Sequence, residues 1–182
     1  MEHKWKDSML WALIASAGVL FAFATPTGQA IMGRMPQLIA VDLNKKPISI
    51  PAGLTAERTL VLVSFQRGHG HDVDTWVEGM GLREDGPHAW VRMPILNDPG
   101  NFDGRSAIEN RLQARYPSEQ ERSKVMPVFT DQQAFLKSVG LTNTEQISAL
   151  VLNRSGHVLA RVEGVFDDAK KTLIAEALKS PH

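Results

Sequence analysis

One stretch of this chain constrains its fold more than any other. Residues 60–65 read LVLVSF, a nearly continuous run of leucine, valine and phenylalanine side chains. Such a run is typical of a strand that is buried on both faces, which requires layers of structure above and below the sheet. An apolar stripe at helical spacing follows, formed by Val73, Trp76, Val77 and Met80. The sequence therefore predicts a central strand that leads directly into a helix.

The remaining segments alternate between strand and helix patterns. Pro94 lies inside one predicted strand and, because proline cannot donate a ladder hydrogen bond, indicates an edge or a bulge there. The full order predicts an α/β protein with a mixed central sheet covered by helices on both faces. The predicted elements are a hairpin over 38–43 and 48–50, the strand 60–65, a helix from an Asp72 N-cap to Gly79, a strand over 89–96, a loop over 97–104, a helix from Ser106 to Tyr116, a short strand over 125–129, a helix from Thr130 to Gly140, a hairpin over 147–152 and 157–162, and a helix capped by Asp167, with Leu173, Ile174, Ala177 and Leu178 as its buried face.

Composition excludes several kinds of chemistry. The 182 residues contain no cysteine, which removes disulfides, thiolate nucleophiles, cysteine-ligated zinc and iron–sulfur clusters. Lys plus Arg and Asp plus Glu each total 20, so the net charge is zero and gives no electrostatic reason to expect nucleic acid or an anionic membrane as partner. We therefore predict neither thiol oxidoreductase nor peroxidase activity, and no cofactor.

The N-terminus has the pattern of a targeting segment. Lys4 and Lys6 precede an uncharged apolar run over 9–24, and small residues suited to a signal peptidase end at Ala24, with a second candidate at Ala30. The run is shorter than the roughly 20 residues of a spanning helix. We predict a signal peptide over 1–24, a linker over 25–36 and a domain over 37–180. Cleavage and retention as an uncleaved membrane anchor both remain open, and either one predicts a periplasmic or otherwise exported protein.

Three segments resemble one superfamily. The element order, together with MPQLIAVDLNKKPISI, LVLVSF and ALVLNRSGHVLARVEG, resembles the thioredoxin and peroxiredoxin superfamily over residues 35–178. The resemblance implies a thioredoxin-like three-layer sandwich, with a reactive cysteine where the central strand passes into its helix. Here residues 70–73 contain no thiol, and residues 146–148 contain no proline where many members have a cis-proline. The redox activity of the superfamily is therefore not carried over to this chain.

A second resemblance suggests a role outside catalysis. LVLVSF, the following Asp74-Thr75-Trp76 and the terminal hairpin are similar to a mitochondrial ATP synthase assembly factor family with a thioredoxin-like fold. That resemblance implies only a role outside catalysis. Because the scaffold pattern is retained while the thiol and the proline are missing, we predict a redox-inactive binding or assembly module whose partner is an unidentified envelope protein.

The segment after the central strand is the candidate site. His69, His71 and Asp72 offer the imidazole and carboxylate ligands that Cu²⁺ or Zn²⁺ takes, which predicts a periplasmic metal-binding protein as one alternative. The other interpretation is that the histidines are solvated and that Asp72 caps the helix. Arg67 either binds an anion at the start of the helix or pairs with a neighbouring carboxylate.

The loops at the ends of the strands are the candidate partner surface. Open α/β sheets bind their ligands at the carboxyl ends of the strands, where these loops cluster. The alternative is that these loops are only solvated and that a partner binds elsewhere. The predicted surface, which we call the rim, comprises Arg67, His69, His71, Asn101, Phe102 and Asp103, with the turn over 142–146.

Overall fold

The computed structural model of this chain describes residues 32–83 and 86–179. Its central element is a five-stranded mixed sheet. The strands are β1 (Leu38–Val41), β2 (Pro47–Ile50), β3 (Arg58–Ser64), β4 (Ala89–Leu96), β5 (Val128–Phe129), β6 (Ser148–Asn153) and β7 (Val158–Glu163). The helices are α1 (Gly70–Gly79), preceded by a 3₁₀ turn over Arg67–His69, then α2 (Phe102–Arg115), α3 (Glu119–Ser123), α4 (Gln132–Val139) and α5 (Asp168–Lys179).

The sheet has the order β5-β4-β3-β6-β7, and β1 and β2 form a separate hairpin. Strand β3 is parallel to β4 and antiparallel to β6, while β4 is parallel to β5 and β6 is antiparallel to β7. This arrangement confirms the predicted mixed sheet with β3 at its centre. It also confirms the two predicted hairpins.

Alternate residues of β3 supply the two halves of the core. Val61 and Val63 belong to one buried cluster, which also contains Phe135 of α4. Leu60 and Leu62 belong to a second cluster, with residues of α1 and α5. Because successive side chains of a strand point to opposite faces, β3 is buried by helices on both sides. The predicted three-layer sandwich follows from this burial.

Three predicted helix N-caps are displaced from the observed ones by one to five residues. Helix α1 begins at Gly70, so Asp72 lies within its first turn and is not the N-cap. The N-cap of α2 is Asn101, five residues before the predicted Ser106, because the Asn101 side chain accepts a hydrogen bond from the Gly104 amide at 2.7 Å. Helix α4 is capped by Asp131 instead of Thr130. Asn, Asp, Ser and Thr are all good caps, so sequence alone offers several near-equal starts.

Two further differences concern side chains within predicted elements. Pro94 lies in β4, which is second from the sheet edge, so the predicted edge position is wrong. The backbone amide of Arg92 donates a hydrogen bond to the Lys124 carbonyl, on the side of β4 that faces β5. Since alternate amides of a parallel strand face the same neighbour, the missing amide of Pro94 also faces the short β5 side. On α5, Leu173 is 55% exposed, so the buried face is narrower than predicted.

The end of the predicted linker belongs to the domain. Met32 donates a backbone hydrogen bond to Val158, and Met35 donates one to Gly156. The Met35 side chain is also buried in the core. Residues 32–36 are therefore a packed lead-in and not a free linker. The predicted signal peptide and the start of the linker lie outside the described residues. Among the residues that the structure describes, no helix is long and apolar enough to cross a membrane.

The two adjacent residues of α5 provide a test of this packing. Ile174 is fully buried, whereas Leu173 is exposed. We expect Ile174→Ala to lower the free energy of unfolding by about 2–4 kcal/mol, because it removes buried carbon atoms and leaves a cavity. Leu173→Ala should change it by no more than about 0.5 kcal/mol. Urea denaturation of both variants measures the difference, and equal losses would contradict the orientation of α5.

Candidate functional site

The predicted rim segments meet at one end of the sheet. Because β3 and β4 are parallel, the loops that follow them lie at the same end of the sheet. Strand β6 is antiparallel to β3 and therefore begins at that end. The Gln66 side-chain amide donates to the Thr144 carbonyl at 3.1 Å, which joins the loop after β3 to the turn before β6. The Gln132 side-chain amide donates to the Ile95 carbonyl at 2.8 Å and holds the end of β4. Sequence reasoning missed both glutamines, because amide side chains carry no positional pattern.

His69 has a structural role in this rim. Its side chain is buried, with 6% of its surface exposed. The backbone amide of Phe65 donates to Nδ1 at 3.3 Å, so Nε2 carries the proton and donates to the Glu145 carbonyl at 3.1 Å. The imidazole thus links the end of β3 to the turn over 142–146. Both ring nitrogens are occupied, and neither is free to ligate a metal.

The predicted metal ligands are not brought together. His71 is exposed, unlike His69, and Asp72 is half-buried in the first turn of α1. No group of three or more His, Asp or Glu side chains that could hold a metal ion is found among residues 32–83 and 86–179. The metal alternative therefore stays a prediction from the sequence, and the geometry of its proposed ligands does not support it.

A charged network that sequence reasoning missed lies beside the rim. Arg92 on β4 donates from Nη1 to Oδ1 of Asp74 on α1 at 2.7 Å, and Arg115 at the end of α2 donates from Nη2 to the other carboxylate oxygen at 2.9 Å. The Arg92 side chain is only 9% exposed and that of Asp74 is 28% exposed. The Arg92 guanidinium also lies 5.7 Å from the Trp90 ring centroid and 5.2 Å from that of Tyr116. One carboxylate thereby connects β4, α1 and α2.

A cleft of about 150 Å³ lies between the start of α1, the ends of β3 and β4, and α2. Its apolar lining includes Phe65, Val73, Leu96, Ile108 and Leu112. Four arginines also line it, namely Arg67, Arg92, Arg111 and Arg115. Arg92 and Arg115 share Asp74, whereas Arg67 and Arg111 are exposed and make no ion pair or hydrogen bond with any residue that the structure describes. The predicted pairing of Arg67 with a carboxylate is thus not seen in this part of the chain.

The predicted partner residues at the start of α2 have different roles. Phe102 is 80% exposed, and Asp103 beside it is exposed in the first turn. The Asn101 side chain caps the helix and is therefore engaged. The preceding loop is held by an ion pair between Arg105 and Asp98, whose Nε–Oδ1 distance is 2.9 Å. Phe102 is thus a large apolar side chain that projects from an ordered part of the rim.

Known structures match this architecture, although the sequence itself does not identify a family. No protein-family model matches the sequence, and no curated protein matches it. A protein of Aquifex aeolicus VF5 to which electron transfer is attributed superposes with a TM-score of 0.59 at 13% identity, covering 82% of this chain and 97% of that one. BsSco, a member of the Sco family of cytochrome c oxidase assembly proteins, gives 0.54 at 15% identity, with 80% and 91% covered. The pneumococcal exposed lipoprotein thioredoxin Etrx1 of Streptococcus pneumoniae TIGR4 gives 0.52 at 8% identity, with 79% and 98% covered.

These likenesses establish the class of fold. At such low identities they show the architecture alone, and they cover nearly the whole of each neighbour. The chain has the thioredoxin fold, as its element order predicted. It carries no cysteine anywhere in its sequence, so the thiol chemistry for which thioredoxin folds are known has no reactive group here.

The charged network generates a prediction that depends on pH. Burial by itself would raise the pKa of the Asp74 carboxyl, but the hydrogen bonds and charges of Arg92 and Arg115 together outweigh it and hold the pKa below its usual value of 3.8. Because the folded-state pKa is lowered, the stabilisation is present in full above the usual value of 3.8 and is lost as the pH falls from there through the lower folded-state pKa. We expect Asp74→Asn to lower the free energy of unfolding by about 2–3 kcal/mol at pH 7, because the charge of Arg92 stays buried and uncompensated.

The control is Arg115→Gln, which removes the exposed partner of the same carboxylate. This variant should cost no more than about 1 kcal/mol, since exposed ion pairs contribute little. The difference between wild type and Asp74→Asn should shrink as the pH falls below about 4, because the Asp74 carboxyl of the unfolded chain is then protonated before that of the folded protein. Urea denaturation at pH 7, 5 and 3 measures these values, and a difference that does not change with pH would contradict the network.

Substitutions of His69 and His71 form a matched pair that tests the structural role of His69. We expect His69→Ala to lower the free energy of unfolding by about 2–3 kcal/mol, because the Phe65 amide and the Glu145 carbonyl lose their shared partner. His71→Ala should have an effect within about 0.5 kcal/mol, because that side chain is exposed. Thermal or urea denaturation of both variants checks the assignment. Similar losses from the two substitutions would show that His69 is not the structural member of the pair.

Proposed function

We propose that this chain is an exported, redox-inactive thioredoxin-fold protein that acts as a binding or assembly module for another protein of the cell envelope. The observation that carries the proposal is the rim: the position where this fold places its thiols has none, while Phe102 at the start of α2 is 80% exposed. Fold and function are separable, and a scaffold without the reactive group of its fold is free to act through recognition at its surface.

The chemistry of the start of α1 supports the absence of catalysis. Residues 70–73 read GHDV, and Val73 is buried in the core. His69, which immediately precedes them, has both ring nitrogens bonded to backbone groups. A general base or nucleophile requires a side chain that is free to meet a substrate. His69 is instead part of the structural framework, and His71 is an exposed side chain at the surface.

The composition of the rim supports protein binding. Aromatic and arginine side chains are enriched in protein–protein interfaces and at their energetic hot spots. The rim presents Phe102 and Arg67, both exposed, next to loops that are held by Gln66 and by the Arg105–Asp98 ion pair. An ordered surface of this kind loses little conformational entropy when a partner binds.

Two further lines support the finer parts of the proposal. Export is suggested by the basic and apolar N-terminal segment of the sequence. An assembly role is stated for the structurally similar BsSco protein, which belongs to a family of cytochrome c oxidase assembly proteins. That role belongs to BsSco and comes to this chain only as part of the proposal.

Crosslinking in the native envelope tests the proposal. A photoreactive amino acid at position 103 should capture a discrete protein partner, and Phe102→Ala should reduce the yield at least about tenfold, as expected for the loss of an aromatic hot spot. Ile39→Ala is the matched control, because Ile39 is also exposed but lies on β1 in the separate hairpin. A yield that is equal in both variants would place the interface elsewhere.

Two activity assays and a reporter fusion test the remaining parts. Insulin reduction and peroxide consumption should proceed at the rate of the blank, because the chain has no thiol. A fusion of residues 1–36 to a reporter that is active only outside the cytoplasm should be active. Turnover in the first pair of assays would refute the redox-inactive assignment, and an inactive reporter would refute export.

A further inference from the structure

The cleft beside α2 combines apolar and cationic lining in a way that the binding of a partner at the rim does not require. We propose that it is a ligand site for a small organic carboxylate with an apolar body of about six to eight carbon atoms. The proposal goes beyond the function given above, because it concerns a free small molecule and a cleft whose lining shares only Arg67 with the rim.

The apolar half of the site is provided by α2 and the sheet. Helix α2 has no fully buried residue, and Ile108 and Leu112 are half-buried against the cleft. Phe65, Val73 and Leu96 form the facing wall. The volume of about 150 Å³ is close to that of an engineered apolar cavity known to bind benzene. A ligand body of one aromatic ring would therefore fill the space that α2 leaves open.

The cationic half of the site has an excess of positive charge. Arg67, Arg92, Arg111 and Arg115 line the cleft, and no Asp or Glu is among its lining residues. Asp74 is not one of the lining residues, and its carboxylate provides one negative charge for the two positive charges of Arg92 and Arg115. Arg67 and Arg111 come from opposite walls of the cleft and have no carboxylate partner in the described residues.

A carboxylate is the anion that fits these groups. Guanidinium groups bind carboxylates through paired N–H···O hydrogen bonds, and this geometry favours arginine over lysine. A carboxylate between Arg67 and Arg111 would complement both walls, while the apolar body of the ligand reached past Ile108 and Leu112. Ser64, Gln66 and Tyr116 add neutral polar groups to the same lining.

The shape of the cleft favours a free acid over a peptide. A peptide that adds to a sheet needs a row of unpaired backbone groups along an edge strand. The edge strand on this side, β5, has two residues. The cleft is instead bounded by α1, by α2 and by the ends of β3 and β4, which suits a compact molecule.

Isothermal titration calorimetry of the full chain at low ionic strength tests the proposal with three probes. Phenylacetate carries both features of the ligand, 2-phenylacetamide keeps the ring without the charge, and acetate keeps the charge without the ring. We expect phenylacetate to bind at least about tenfold more tightly than either of the other two, because each of them lacks one of the two sets of interactions.

Three variants locate the binding. Arg111→Gln and Arg67→Gln should each weaken phenylacetate binding about tenfold, because a charge-assisted hydrogen bond is lost. Both residues are exposed and have no described partner, so the fold should be retained, and urea denaturation verifies this. The matched control is Arg154→Gln, since Arg154 is exposed in the turn between β6 and β7 and pairs with Glu57. Its affinity should equal that of wild type.

Specific results would overturn the proposal. Equal binding of phenylacetate and 2-phenylacetamide would exclude recognition of the charge, and equal binding of acetate would exclude the apolar subsite. The absence of phenylacetate binding at millimolar concentration, or binding that Arg67→Gln and Arg111→Gln leave unchanged, would exclude the cleft. Phe102→Ala should leave phenylacetate binding intact, which separates this proposal from that for the rim.

Discussion

The carboxylate of Asp74, shared between Arg92 and Arg115, determines the arrangement around the site. A buried arginine requires a counter-charge, and Arg92 obtains it only if α1 presents Asp74 to β4. Helix α2 contributes no fully buried side chain, so polar links position it, chiefly Arg115 to Asp74 and Lys45 to Glu109. Beside the cleft, α2 is therefore held by ion pairs and by half-buried side chains such as Ile108 and Leu112.

The same end of the sheet shows how a fold known for thiol chemistry is maintained without thiols. The ring of His69 bonds to the end of β3 and to the turn before β6, so the segment after β3 is fixed by hydrogen bonds to the backbone. The side chains that remain available at this end are the exposed ones, among them Arg67, His71 and Phe102. The fold alone does not assign a function to these side chains, because one fold supports many different sites.

The chain has no net charge, but its charges are unevenly distributed in the structure. Lys plus Arg and Asp plus Glu both total 20, which by itself argues against an anionic partner. The cleft nevertheless collects four arginines around a lining that contains no carboxylate. The field at a site depends on where charges lie in three dimensions, and a net charge of zero places no limit on it.

The sequence by itself determined the class of fold. The run over 60–65, the two hairpins and the stripe of Val73, Trp76 and Val77 are local patterns whose period of two or 3.6 residues specifies the element, so their presence and order could be predicted. The absence of cysteine likewise required no structure. Few fold classes contain these elements in this order, so these patterns were sufficient to predict the fold class.

Tertiary structure decided the site. Asp74 pairs with Arg92, 18 residues away, and with Arg115, 41 residues away, and no local period relates such positions. The choice of Asn101 over Ser106 as the cap of α2, and the burial of Ile174 but not Leu173, also depended on packing, because the local preferences were nearly equal. His69 could be predicted as a candidate residue, but its burial against two backbone groups followed only from the approach of the turn before β6 to the end of β3.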